Sequence, residues 1–198
     1  DSKRAGAELK TVVAAAFIAQ GTIDAAKKAV EEALQLDPGY SMARLLKARI
    51  VAGDGDRDTA AQLVDGLLLD EPALADAWQL KGELLWLGRG QIQEGTRAFE
   101  QAITVDPKFL PAHMALIAVR LSERDIKGFK ARLDALRQVF PNHPETVYNE
   151  AQLALLEGNV TLARELVQRL MLLLPNSPRV LLLAGTIEMR SGSLVSAA

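Results

Sequence analysis

Asp54, Asp56 and Asp58 alternate along the chain in the spacing of a calcium-binding loop. Such a loop needs glycine at its sixth position and a bidentate Glu at its twelfth. Those positions hold Thr59 and Asp65, so the oxygen cage is incomplete. Gly90-x4-Gly95-Thr96-Arg97 touches the phosphate-loop pattern. It lacks the Lys that must reach the phosphates, and no strand leads into it. His113 and His143 are the only histidines, 30 residues apart, and there is no cysteine. A zinc constellation therefore cannot be assembled from these spacings. The carboxylates Glu31-Glu32, Asp70-Glu71 and Glu83 fall on solvated faces or helix ends, with no neighbour to raise a pKa. A Ser–His–Asp set cannot be placed either. The reading is a non-catalytic chain, with no catalytic residue, no cofactor and no metal site.

Composition narrows the partners. The 198 residues are 49% hydrophobic and 24% charged, which suits an ordered domain. Twenty-three Lys+Arg against 25 Asp+Glu leave a formal charge of −2, without the basic stripe a nucleic-acid backbone demands. The most apolar early stretch, Val12 to Ala19, is far shorter than the roughly 20 residues that span a bilayer. Aromatics are scarce at 5%, as expected where Ala and Leu fill helix contacts.

The elements that must position any site are set by five prolines: Pro38, Pro72, Pro107, Pro141 and Pro175. Their gaps are 34, 35, 34 and 34 residues. Each ends an apolar run, such as Ala33-Leu34-Gln35-Leu36-Asp37-Pro38, where proline's missing donor stops a helix. Asn142 and Asn176, which follow two of them, suit a left-handed helix closure. In this register repeats start at Ala7, Ser41, Ala75, Leu110, Pro144 and Pro178. The extra residue of the third repeat is expected at the turn around Gly88–Gly90.

Position 8 reads Ala14, Ala48, Gly82, Ile117, Ala151 and Gly185, mostly small enough for two helices to approach closely. Ile117 should push its hairpin apart slightly. Position 15 reads Gly21, Gly55, Gly90, Arg124, Gly158 and Gly192, a turn where glycine takes positive φ cheaply. Position 16 reads Thr22, Asp56, Gln91, Asp125, Asn159 and Ser193, five of them good N-caps. Position 20 reads Ala26, Ala60, Gly95, Phe129, Ala163 and Ala197. Pro144 and Pro178 open first helices, where a missing N–H costs nothing.

The spacing predicts helix pairs 3–20 with 23–36, 40–52 with 56–69, 73–87 with 91–104, 109–122 with 126–139, and 144–156 with 160–173. Helix 178–190 begins a sixth pair. A fixed period near 34 is the mark of a helical-hairpin solenoid, in which each hairpin buries its apolar face on the next. The same register disposes of the metal-like and phosphate-like stretches: Gly55 and Gly90 are turns, Asp56 a cap and Gly95 a helix contact.

Ala77-Trp78, Gly82, Phe99, Ala102 and Pro107 resemble the signature of the tetratricopeptide repeat family. The resemblance implies an all-α, right-handed superhelical solenoid of antiparallel hairpins, five full repeats and part of a sixth. The repeats run 7–40, 41–74, 75–109, 110–143 and 144–177, with a partial repeat at 178–198, in one solenoid read as a piece of a longer protein. It implies a protein-interaction scaffold whose first helices line a concave groove for a protein or peptide. The groove positions of the family fall here on Met42, Leu45, Arg49, Gln79, Glu83, Trp86, Met114, Leu121, Glu145, Tyr148, Gln152, Leu182, Met189 and Arg190, with Glu8 and Thr11 opening the series. Trp78 belongs to the core instead. The Lys and Asn of a chaperone-tail clamp are replaced by Thr11/Ala15, Leu45/Arg49 and Gln79/Glu83, so that ligand class is not expected. An uncapped last helix would leave Leu182, Leu183 and Met189 partly exposed or packed on another copy.

The phrases Pro111-Ala112-His113-Met114-Ala115-Leu116, Phe140-Pro141-Asn142-His143-Pro144-Glu145-Thr146-Val147-Tyr148, Val180-Leu181-Leu182-Leu183-Ala184-Gly185 and Ser191-Gly192-Ser193-Leu194 are similar to the bacterial PEP-CTERM system TPR-repeat lipoprotein family. That likeness implies a lipid-anchored envelope protein on the periplasmic side, tied to exosortase sorting and exopolysaccharide export. A cytoplasmic adaptor and the repeat arm of a larger enzyme stand as the alternatives.

Overall fold

The computed structural model describes residues 2–196, with side chains described as far as Gly192. Among the described residues there are eleven helices and no strand. They are α1 (Ser2–Ala19), α2 (Ile23–Leu36), α3 (Ser41–Gly53), α4 (Arg57–Asp70), α5 (Ala75–Glu83), α6 (Ile92–Val105), α7 (Leu110–Ser122), α8 (Ile126–Val139), α9 (Pro144–Leu156), α10 (Val160–Leu173) and α11 (Pro178–Ser196). The all-α class and the hairpin succession are those expected. The chain forms two compact units, residues 1–116 and 117–198.

In unit 1, α1 packs on α2, α3 on α4 and α5 on α6, while α2 also meets α3 and α4 meets α5. The small residues at the crossings are buried: Ala14, Ala26, Ala48 and Ala60. In unit 2, α9 packs on α10 and on α11, with Val147, Ala151, Ala163, Val167, Leu170 and Ile187 in the core. Ile117 and Phe129, the bulky residues at positions 8 and 20 of the fourth repeat, are both buried.

Four of the five hairpin turns close in one way. In the first, Gly21 N–H donates to the Ile18 carbonyl and Thr22 N–H to the Phe17 carbonyl. This paired pattern requires a left-handed residue after the helix. Gly21, Gly55 and Gly158 supply it at φ 75°, 96° and 78°, and Arg124 adopts it at φ 57° despite its side chain. Asn142 and Asn176 do not take positive φ, contrary to expectation. The helices they follow end on residues of negative φ, Phe140 and Leu174, whose N–H groups each reach the carbonyl four back. No left-handed residue is needed there.

The third repeat differs. Its extra residue does not enlarge the turn. It widens the last helical turn into a π-helical segment, Leu84–Gly88. Gly90 N–H bonds Trp86 and Gln91 N–H bonds Leu85, each closing a ring one residue longer than in the other hairpins. Gly90 keeps its positive φ of 68°. A π turn absorbs one residue without breaking the backbone ladder, which explains why the insertion is tolerated.

Three of the expected caps form: Asp56, Asp125 and Asn159 accept from Thr59, Gly128 and Leu162 N–H. Thr22 does not cap; its hydroxyl donates to the Phe17 carbonyl at 3.0 Å. At the end of the chain the expected turn at Gly192 is absent, and α11 continues helical to Ser196. The cap expected of Ser193 and the contact expected of Ala197 lie outside the described side chains and residues, respectively. No helix is long and apolar enough to cross a membrane among the described residues.

Candidate functional site

Three first helices, α5, α7 and α9, are tied to the loops that deliver them. Trp78 Nε1 donates to the Pro72 carbonyl at 2.8 Å, and Thr146 Oγ1 to the Phe140 carbonyl at 2.7 Å. His113 Nε2 lies 3.0 Å from the Pro107 carbonyl. All three reach six residues back, so a polar group near the start of the helix fixes its entry angle. Trp78 also packs beside the core of its unit, as expected, and carries Lys81 over its ring at 5.5 Å.

In unit 2 the far half of α7 and the helices α9 and α11 enclose a cleft of about 300 Å³. Its lining is Leu121, Tyr148, Gln152, Leu155, Leu156, Leu182, Leu183 and Thr186. Tyr148 is buried, with the Arg179 guanidinium stacked 3.7 Å from its ring centre. Glu145 holds that guanidinium through both carboxylate oxygens, at 3.0 and 2.8 Å. A planar cation on an aromatic face adds electrostatic attraction to the packing, so the ring cannot swing freely. Gln152 Nε2 lies 3.5 Å from the Tyr148 hydroxyl, at the edge of hydrogen-bond range. Arg190 donates to the Leu155 carbonyl at 2.9 Å. The result is an apolar floor with a polar rim.

Leu182 and Met189 are 74% and 72% exposed, whereas Leu183 is buried against the core, not exposed as expected. The helix presents Leu183 and Ile187 inward and Leu182 and Met189 outward, because residues three and four apart share a face.

In unit 1 the same positions make a different surface. Leu45 is not on an accessible face; it is packed with Ala48, Val64, Leu67 and Leu84. Arg49 of α3 lies 3.8 Å from both Asp76 and Glu83 of α5. Gln79 Nε2 donates to Glu83 Oε1 at 2.9 Å. Trp86, in the π turn, meets Phe99 edge-on with ring centres 6.2 Å apart. Met42 is exposed at the start of α3, and Met114 is half-buried on α7. A second cleft of about 300 Å³ lies between the end of α1, the start of α2 and α3, lined mostly by Ile18, Ile23, Leu46 and Ile50.

Of the expected groove residues, the fold thus gathers Leu121, Tyr148, Gln152 and Leu182 in one cleft, and Arg49, Gln79 and Glu83 in one polar cluster. Leu155, Leu156 and Asp76 were missed. The register contained them: Leu155 and Leu156 of α9 occupy the positions that Met189 and Arg190 hold in α11.

The carboxylates with calcium-like spacing have separate occupations. Asp54 pairs with Lys27 at 2.7 Å, Asp56 caps α4, and Asp58 pairs with Arg89 at 2.6 Å. The hydrogen bond to Asp54 holds the Lys27 ammonium above the usual lysine range. Bonds from Thr59 hold Asp56 below the usual carboxylate range. No cluster of three or more His, Cys, Asp or Glu side chains suited to a metal occurs among the described residues.

Residues 17–84 match a family model described as the tetratricopeptide repeat. No curated protein matches the chain. Among solved structures it is similar to a thermophilic TPR protein of Thermus thermophilus, at 18% identity and a TM-score of 0.74, covering 92% of this chain and 99% of that one. It is similar to PilF of Pseudomonas aeruginosa, at 15% identity and a TM-score of 0.72, over 100% of this chain and 96% of the other. Yeast Tom70 gives a TM-score of 0.78 at 15% identity, over 95% of this chain and 39% of that chain. Hairpins of one register, glycine turns and proline-ended second helices, together with these likenesses, give the chain the tetratricopeptide-repeat fold, with residues 17–84 matching the repeat family itself.

Proposed function

We propose that this chain is a non-catalytic protein-interaction scaffold whose unit 2 cleft receives the apolar face of a partner segment. The observation that carries this reading is the cleft of about 300 Å³ between α7, α9 and α11, with Leu182 exposed at its edge and Tyr148 braced at its floor. A large aromatic held rigid beside leucines is what an interface anchor requires, because little side-chain entropy is lost on binding. An amphipathic helix or extended segment with an apolar side chain every few residues fits this geometry. We place the scaffold in a bacterial envelope system linked to PEP-CTERM sorting and exopolysaccharide export, with a lipid anchor in the full-length protein. That setting rests on the phrases from Pro111 to Leu194.

The test is affinity capture by the whole chain, by Leu182→Asp and by Leu69→Asp. Leu69 is exposed on α4, outside the cleft, and controls for charge alone. Partners retained by the wild type and by Leu69→Asp should be lost by Leu182→Asp. Equal recovery with all three removes the cleft from the function. Fractionation of cells bearing the tagged full-length protein tests the envelope setting; recovery only in the cytosol removes it.

A further inference from the structure

His143 is the N-cap of α9, and its Nδ1 accepts from the Glu145 N–H at 3.2 Å. Pro144, at the first helical position, has no N–H, so the Glu145 amide is the first that the helix leaves open. A cap made by Asn or Ser is indifferent to pH, whereas an imidazole nitrogen accepts only while it is unprotonated. His113 differs. Its Nε2 faces the Pro107 carbonyl and donates to it in either charge state. The turn that His143 caps also holds the cleft floor. Glu145, two residues on, grips the Arg179 guanidinium with both oxygens, and that guanidinium lies on the Tyr148 ring. The Phe140 ring meets the imidazole edge-on, with ring centres 5.8 Å apart. Two further cations belong to the helices packed there. Arg169 of α10 reaches the adjacent Asn142 at 3.4 Å, and Arg137 of α8 is held by Asp134 and Glu150.

We propose that His143 is a pH switch on the brace beneath the unit 2 cleft. Histidine is the side chain whose charge ordinarily changes between about pH 5 and 8. When Nδ1 takes a proton its lone pair is used, and two N–H donors face each other where one bond stood. The new cation also sits at the positive end of the helix dipole. The carboxylate on hand to neutralise it is that of Glu145, which Arg179 already occupies. Imidazolium and guanidinium then compete for one carboxylate, and the guanidinium loses its anchor over Tyr148. Arg169 adds a repelling charge from α10, and the two partners of Arg137 keep it out of the exchange. Protons favour whichever form of the turn binds them better, so acid shifts it from capped and braced to uncapped and loose. The inference rests on the cleft reading only for its effect on binding; the brace itself can be followed with no partner present.

The experiment follows the whole isotope-labelled chain by nuclear magnetic resonance from about pH 8 to about pH 5.5, a range in which ordinary carboxylates stay ionised. As the His143 ring titrates, the Glu145 amide proton should move upfield, marking the lost bond. The Arg179 guanidinium signals should move with the same midpoint. His143→Asn keeps a capping acceptor that does not titrate, so both responses should vanish. His143→Ala should show the acid-form signals at every pH. In affinity capture, the wild type should retain its cleft partner about fivefold less at the acid end, the loss of one cap, while His143→Asn retains it equally at both ends. Glu145 and Arg179 signals that stay put while His143 titrates, or that still move in His143→Asn, overturn the proposal. So does an equal pH dependence of capture in the two chains. Leu182→Asp, which tests the cleft, should leave the titration of the brace unchanged, so the two readings fail separately.

Discussion

The first-helix surfaces of the two units occupy the same register positions and have opposite characters. In unit 1, Arg49, Asp76, Gln79 and Glu83 form a polar cluster, and behind it Gly82 and Gly95 let α5 and α6 close tightly on Phe99 and Trp86. In unit 2, Leu121, Tyr148 and Leu182 line an apolar cleft, and Gly185 has no atom within 4 Å of where a Cβ would stand. A repeat register prescribes where a side chain goes but not how crowded it is there. Crowding depends on which neighbouring helix lies across from it.

The comparison can be broken most forcefully at Phe99. It is fully buried and meets Trp86 edge-on. Phe99→Ala should cost about 3–5 kcal/mol by denaturant unfolding. A loss below about 1 kcal/mol would mean that this hairpin is not tightly packed. Gly82→Ala comes next. A Cβ there would stand 2.4 Å from a Phe99 ring carbon, and the ring has no free side to move into. The overpacking should cost about 1–3 kcal/mol, despite alanine's better helix propensity.

The same register position in unit 2 should respond with the opposite sign. Gly185→Ala meets nothing and should stabilise by up to about 1 kcal/mol, read as a raised unfolding midpoint. If Gly82→Ala and Gly185→Ala shift stability in the same direction, the contrast in packing fails. A turn comparison sharpens the point. Arg124→Gly relieves a left-handed non-glycine residue and should gain about 1 kcal/mol, whereas Gly158→Ala, at φ 78°, should lose about as much.

The smallest effect is electrostatic. Arg164 bonds Glu188 at 2.8 Å and holds its carboxyl below the usual glutamate range, chiefly through the hydrogen bond. A carboxylate with a lowered folded pKa stabilises the fold above its ordinary unfolded value. That contribution is lost as pH falls through the folded pKa. Both side chains are substantially exposed, so the effect on stability is slight. The check is the carbon-13 titration of Glu188: its midpoint should rise toward the ordinary value in Arg164→Ala.

Much of the fold was legible because the cues are local. Pro144 and Pro178 mark helix starts, and Asp56, Asp125 and Asn159 cap through bonds to residues three ahead. Glycine's freedom at Gly21, Gly55, Gly90 and Gly158 depends on nothing distant. The candidate site was legible only as positions. Leu45 and Gln79 share a register place with Tyr148 and Leu182. The first two are buried with their neighbours, Tyr148 is buried at the cleft floor, and Leu182 is exposed.

By itself, the sequence determined the all-α class, the hairpin period and the helix ends, since each follows from residues within a turn or two of one another. Only the tertiary structure decided that the extra residue of the third repeat becomes a π turn, that α11 runs through Gly192, and that Gln79 Oε1 is left without a partner. Those outcomes depend on what packs across from each residue, and that is fixed by contacts between helices distant in the chain, not by any local spacing.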